Sequence, residues 1–180
     1  MCRSLLQQRR STSRARLERT DGVASLATMS LTWQFSNEVH LPILARLNAQ
    51  LVQDEGHSNP MGLGQLEARM RGWLETGYTA VIFREAADVV AYALYRPSDS
   101  GWEGPTGAIY LRQFFVVRNR RREGIGREAI EMLRSQILPA GCRITLETLL
   151  LNTAAQQFWR SLGFRDYCLT FEWSAPRGAV

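Results

Sequence analysis

Residues 113–126 read Gln-Phe-Phe-Val-Val-Arg-Asn-Arg-Arg-Arg-Glu-Gly-Ile-Gly. The apolar run that ends at Val117 reads as a buried strand, and the shift in composition at Arg118 as a turn. The turn feeds a helix opened by Gly124-Ile125-Gly126. A helix N-terminus leaves main-chain N–H groups without partners, and the macrodipole adds positive potential there. Such a place binds anions, phosphates above all. Gly124 and Gly126 carry no side chain to block a close approach, and Arg120, Arg121, Arg122 and Arg127 supply cations. An ordinary glycine-containing turn with solvated arginines would look the same, so the context must decide. Two phosphate fingerprints are excluded. Gly-x-x-x-x-Gly-Lys-Ser/Thr is absent, and the dinucleotide pattern Gly-x-Gly-x-x-Gly would need a glycine where Ala129 stands.

Working outward, Ala108 to Val117 is the longest strand candidate. Upstream, Leu31 to Phe35 alternates apolar and polar residues and predicts a strand. Residues 39–54 place Leu41, Leu44, Ala45, Leu51 and Val52 at helical spacing. Asp54 to Gly64 is a loop, and 63–75 is a second helix with Leu66, Met70, Trp73 and Leu74 on one face, closed by Gly77. Tyr78 to Arg84 and Val89 to Tyr95 read as strands about an Ala86-Ala87-Asp88 turn, and Pro97 to Gly107 as a longer loop. Downstream, helix 125–138 turns Ile125, Ala129, Met132, Leu133 and Ile137 inward. A strand at 143–149, a helix at 153–162 and a last strand at 165–173 follow. The order β-αα-ββ-β-α-β-α-β predicts one α/β domain around a mixed sheet.

Bulk properties narrow the function classes. The chain has 180 residues, 45% of them hydrophobic, enough for one domain with a core. No apolar run approaches the ~18 residues of a membrane span. The formal charge of +5 invites a nucleic-acid reading, yet +4 of it lies in residues 1–28. The rest is nearly neutral, so no basic groove is expected. Every basic residue is arginine. The Arg/Ser-rich segment 1–28 reads as a disordered or spurious extension, with a mitochondrial-type presequence as the alternative, and Met29 is a plausible true start. Cys2, Cys142 and Cys168 are odd in number and form no C-x-x-C pair, which suggests reduced thiols of a cytoplasmic protein. His40 and His57 are too few and too far apart to suggest a metal site.

Two blocks together carry a family resemblance. Arg121-x-x-Gly124-x-Gly126 resembles the Arg/Gln-x-x-Gly-x-Gly/Ala motif of the GCN5-related N-acetyltransferase (GNAT) family. Leu146-Glu147, Asn152-Thr153-Ala154-Ala155 and Phe158 to Phe164 resemble that family's second block. The resemblance spans about residues 31–173. It implies an N-acetyltransferase domain at 29–175, with a mixed, mostly antiparallel sheet splayed at the cofactor site and about four flanking helices. It also implies an acetyl-CoA cosubstrate and a primary amine of a small molecule or peptide as acceptor, attacking directly in a ternary complex. No nucleic acid, membrane or metal partner is implied, and a homodimer is left open.

The same resemblance distributes roles. Phe114, Phe115 and Val116 would offer main-chain groups to pantetheine, and an amide near Val116 would polarise the thioester. Arg121, Arg122, Glu123, Gly124, Ile125, Gly126 and Arg127 would hold the pyrophosphate. Asn152 would bond the cofactor arm, or simply cap its helix. Glu147 is the candidate general base, or else a strand glutamate paired with Arg112 or Arg143. Asp54 and Glu55, beside the loop expected to shape the acceptor pocket, would bind a cationic substrate, or merely be solvated; Tyr110 and Gln113 could also reach it. One departure stands out. Where family members often keep a tyrosine as acid, seven residues after the asparagine, this chain has Trp159. An indole donates a hydrogen bond but is no acid near neutral pH. Trp159 is then a wall against the cofactor, and a non-catalytic acyl-CoA-binding module is the rival reading.

Overall fold

The computed structural model describes residues 31–56, 61–98 and 106–173. The Arg-rich extension and the centres of the two predicted loops lie outside them. Five strands form one sheet in the order β1 (Thr32–Phe35), β2 (Thr79–Glu85), β3 (Asp88–Pro97), β4 (Ala108–Val116), β5 (Arg143–Thr145). The first four are antiparallel neighbours, and β5 runs parallel to β4. Helices α1 (Leu41–Asp54) and α2 (Leu63–Glu75) connect β1 to β2. Helix α3 (Ile125–Met132) crosses from β4 to β5, and α4 (Thr153–Ser161) follows β5.

Strand alternation feeds two cores, one on each face of the sheet. Val81, Phe83, Ala91, Ala93, Ile109 and Leu111 pack with Ile125, Ala129, Ile130 and Trp159 from α3 and α4. Ala80, Ile82, Tyr92, Leu94 and Phe115 pack with Leu41, Leu44, Leu47 and Met70 from α1 and α2. With both faces covered, β2 and β3 read as nearly continuous apolar runs.

Two irregularities in β4 position the site. Leu94 is opposite Gln113 while Tyr95 is opposite Leu111, so Arg112 is an extra, unopposed residue. This bulge resets the alternation and sends both Arg112 and Gln113 to the α1/α2 face. On the other side, β4 pairs with β5 only through Ala108, Ile109 and Tyr110. From Leu111 to Val116 that edge of β4 has no strand beside it.

Several predicted elements are corrected. The strand expected at 143–149 stops at Thr145. The helix expected through 138 is α-helical to Met132 and then widens into a π-turn, Leu133–Ile137. There the Ser135 hydroxyl takes the Glu131 carbonyl at 2.7 Å, the acceptor that an α-helical amide at 135 would use. The first helix opens with a 3-10 turn, Glu38–His40, capped by Asn37. The last predicted strand, 165–173, does not join the sheet. Tyr167, Leu169, Phe171 and Trp173 do alternate, but all four are exposed. Alternation makes a strand only where an edge supplies partners, and the three-residue β5 offers few.

Candidate active site

The turn after β4 has the geometry of an anion cradle. Arg122 (φ 70°) and Gly124 (φ 88°) are both left-handed, and Gly124 caps α3. Left-handed residues alternating with right-handed or extended ones point successive amides into one concavity. The first-turn amides of α3, at Ile125, Gly126 and Arg127, have no acceptor within the helix. Gly126 is needed for a second reason. A Cβ there would lie 3.2 Å from the Phe158 ring and 3.4 Å from Val116.

The arginines of the turn are not equivalent. Arg118 bonds Asp54 through Nε at 2.8 Å, and Arg121 Nη2 pairs with the other oxygen of the same carboxylate. Burial raises the Asp54 pKa, but the hydrogen bonds from Arg118 and Arg121 outweigh it and hold the carboxyl below its ordinary value. Arg120 bridges Glu123 at 2.8 Å and Glu85 at 2.5 Å. Among the described residues, only Arg122 and Arg127 of this group pair with no carboxylate. Asp54, expected near the acceptor, is instead the clamp between the end of α1 and the turn. Glu55 lies close enough to Tyr92 for its charge to help raise that hydroxyl's pKa.

The free edge of β4 is defined by which way its peptides point. Val117 N–H donates to Val90 O on β3 at 2.9 Å. By strand alternation, Phe115 also turns its main chain to β3, while Phe114 and Val116 face the open edge. The Val116 carbonyl accepts from Arg121 Nε at 2.9 Å, and the guanidinium lies 5.0 Å over the Phe115 ring. The Val116 amide faces the gap.

At the point where the strands part stand Tyr110 and Glu147. Tyr110 is the last β4 residue opposite β5, where it faces Thr145. Its hydroxyl donates to Glu147 Oε2 at 3.1 Å. Burial first, and then the Glu147 charge, hold the Tyr110 hydroxyl above its ordinary pKa. It therefore stays protonated and donating, and Glu147 itself is exposed.

Helix α4 closes the opposite wall. The Asn152 oxygen accepts from Ala155 N–H at 3.1 Å, so the residue caps α4 and keeps its NH₂ group available. Trp159 is buried in an aromatic cluster. Its ring makes edge contacts with Phe114, Phe158 and Phe164, with centroids 5.7, 5.0 and 5.1 Å away, and Phe114 stacks on Phe158. Gln113, one of the candidates on β4, accepts from Tyr92 OH at 3.0 Å. That bond continues a buried chain from Arg69 through Asn48, at 2.6 Å, to Tyr92.

Sequence reasoning missed two things. One is the engagement of Arg118, Arg120 and Arg121 by acids distant in sequence. The other is a group of Arg69, Trp73, Tyr78, Arg96 and Arg112 beside Tyr110. No motif marks either, because both depend on the β4 bulge and on α1 and α2 docking against the sheet.

The model of the acetyltransferase (GNAT) family matches residues 48–164. Thialysine N-epsilon-acetyltransferase of Bos taurus is 28% identical over 151 residues, which cover 74% of this chain and 88% of the relative. Among solved structures, an aminoglycoside N-acetyltransferase in complex with CoA superposes with TM-score 0.64 at 17% identity, over 81% of this chain and 95% of that one. The aminoglycoside 6'-N-acetyltransferase of Acinetobacter haemolyticus gives 0.61 at 15%, over 81% and 98%. At these identities the two structures speak to the fold.

Proposed function

This chain belongs to the acetyltransferase (GNAT) family, as an N-acetyltransferase that uses acetyl-CoA, and from that premise we propose a direct acetyl transfer to a primary amine of a small molecule or peptide, with Glu147 as general base. The observation that carries the proposal is the place of the Tyr110–Glu147 pair. It stands where β4 loses its partner, with the free edge and the anion cradle leading away from it in line.

The division of labour follows. Amides of residues 122–127 hold the pyrophosphate, with Arg122 and Arg127, which pair with no carboxylate among the described residues, as cations. Phe114 and Val116 present main-chain groups to the pantetheine arm, and the Asn152 NH₂ group reaches it from α4. The Val116 amide polarises the thioester carbonyl as charge builds on its oxygen. Trp159 acts at one remove, by holding Phe114 and Phe158 against Gly126.

An alkyl amine has a pKa near ~10, so it arrives mostly protonated. Glu147 accepts its proton, and Tyr110 keeps the carboxylate aimed. The nitrogen lone pair then forms the new C–N bond as the C–S bond breaks, and the nitrogen gives up its second proton to the departing thiolate or to solvent. CoA leaves as a thiolate, the conjugate base of a weakly acidic thiol (a cysteine thiol has a pKa of about 8.5), which solvent or the protonated base can neutralise. No tyrosine at position 159 is required for this step.

The test is CoA thiol release across a panel of primary amines, with acetyl-CoA binding measured in parallel. Amine-dependent release supports the reading. Tight cofactor binding with no amine accelerating release would instead favour a binding module.

A further inference from the structure

Among the described residues, the α1/α2 face beside Tyr110 is basic and aromatic. It carries arginines stacked on aromatic rings. The Arg112 guanidinium lies 4.6 Å over the Trp73 ring and 5.8 Å over Tyr78. Arg69 lies 4.9 Å over the same indole. Arg96, opposite Tyr110 on β3, lies 5.5 Å over Tyr78 and donates to its hydroxyl at 3.1 Å.

The arrangement is fixed from below. Arg69 is held by Asn48, which is fully buried, and its own Nε is buried without a hydrogen-bond partner. Arg112 sits on the bulge, so its direction is set by the strand rather than by a flexible loop. Among the described residues, neither Arg69 nor Arg112 pairs with a carboxylate. Burial and then the nearby Arg112 charge pull the Arg69 pKa down, as expected for two like charges held together. Two guanidiniums gathered on one indole repel each other, and the aromatic ring offsets only part of that. A carboxylate set against Arg112 relieves the repulsion and offers the planar, two-oxygen partner that guanidinium fits best.

We infer, on the basis of the acetyl-transfer reading above, that the acceptor is an amine that also bears a carboxylate, its amine at Glu147 and its carboxylate on Arg112 backed by Arg69. Tyr110, which bonds Glu147, and Arg112 lie two residues apart on the same face of β4. That neighbourhood suits an amino acid whose amine and carboxylate are separated by a few methylene groups. It does not suit a polycation, whose second ammonium group would land on Arg112.

The experiment compares matched acceptors that differ only in charge at the far end. Lysine and thialysine are each measured against their carboxamides, and against a linear diamine of similar length, by kcat/KM for CoA release. A charged hydrogen bond of typical strength predicts a ~10- to 100-fold preference for each acid over its amide. In Arg112→Gln the acid-to-amide ratio should collapse towards unity, and Arg112→Lys should keep an intermediate ratio. Equal kcat/KM for acid, amide and diamine in the unaltered protein would overturn the inference while leaving acetyl transfer intact. So would a preference that survives Arg112→Gln. Failure of every amine to release CoA from a protein that binds acetyl-CoA would overturn the reaction itself, and this inference with it.

Discussion

The Tyr110 hydroxyl lies 3.1 Å from Glu147 Oε2, across the point at which β4 and β5 separate. The two residues are far apart in sequence, and it is the short β4–β5 pairing that sets them opposite each other. Had β5 continued through Glu147, as the alternation of 143–149 suggests, the carboxylate would belong to a paired strand and the gap would be closed. The early end of β5 thus creates both the free edge and the exposed carboxylate.

Replacing Glu147 with Gln removes the proton acceptor but keeps the shape and a hydrogen-bond acceptor for Tyr110. We expect kcat to fall on the order of 10²-fold or more at neutral pH. Acetyl-CoA affinity, measured by calorimetry, should be retained. Tyr110→Phe should cost less, about 10-fold, because it loosens the base without deleting it. An unchanged kcat in Glu147→Gln would take the residue out of the reaction.

The two glycines of the cradle should fail in different ways. Gly124 is left-handed with open space around it, so Gly124→Ala is a backbone problem costing about 1–2 kcal/mol. Gly126 has ordinary φ but faces Phe158 at 3.2 Å. Gly126→Val should therefore disturb the Phe114–Phe158 stack and obstruct the pyrophosphate together. We expect acetyl-CoA affinity to drop sharply in Gly126→Val and Tm to fall in both. Unaltered affinity in Gly126→Val would unseat the cradle assignment.

These residues also show what the sequence could convey. Gly124 as a turn residue, Gly126 as a close approach and Asn152 as a helix cap were legible because each needs a residue type at a fixed spacing from its neighbours in the chain. Helices α1 and α2 and strands β1 to β4 were legible from the period of their apolar residues. Arg121 was legible as a cation but not as a clamp, since its partner Asp54 is distant in the chain. The aim of Arg112 depends on a bulge, and a bulge changes register without leaving a pattern in the sequence. Residues 165–173 had the right pattern and no edge to join, which periodicity cannot report.

The Asp54 clamp predicts a pH dependence. The carboxyl lies below its ordinary 3.8 in the folded protein, so the pair with Arg118 and Arg121 stabilises above that value. The contribution is lost as pH falls through the lower, folded pKa. All three groups are partly exposed, so the loss is about 1 kcal/mol. Asp54→Asn should lower Tm at neutral pH, and the gap to the unaltered protein should close in strong acid. A constant gap across the acid range would show that the clamp's charge is not what matters.

Tyr92 predicts the opposite limb. Its hydroxyl is fully buried, and burial drives its pKa far above 10.0, with the Glu55 charge adding to the shift. The folded state keeps a proton that the unfolded chain would lose, so stability declines as pH rises past 10. Tyr92→Phe should flatten part of that alkaline decline in Tm. At neutral pH it should cost about 1–3 kcal/mol, because Gln113 and Asn48 lose their shared partner.

Trp159 offers the sharpest contrast between ancestry and geometry. The family resemblance points to a tyrosine acid at this position, and on that ground alone Trp159→Tyr would restore a lost function. The packing argues otherwise. The indole is 9% exposed and wedged among Phe114, Phe158 and Phe164. A phenol there has to place its hydroxyl among rings or reach past them, and a buried hydroxyl without a partner costs about 1–3 kcal/mol. We therefore expect Trp159→Tyr to lower Tm and leave kcat no higher than that of the unaltered protein. Trp159→Ala should cost about 3–5 kcal/mol and weaken acetyl-CoA binding by freeing Phe114 and Phe158. A rise in kcat for Trp159→Tyr, with its pH profile extended to higher pH, would show that thiolate protonation limits the present enzyme.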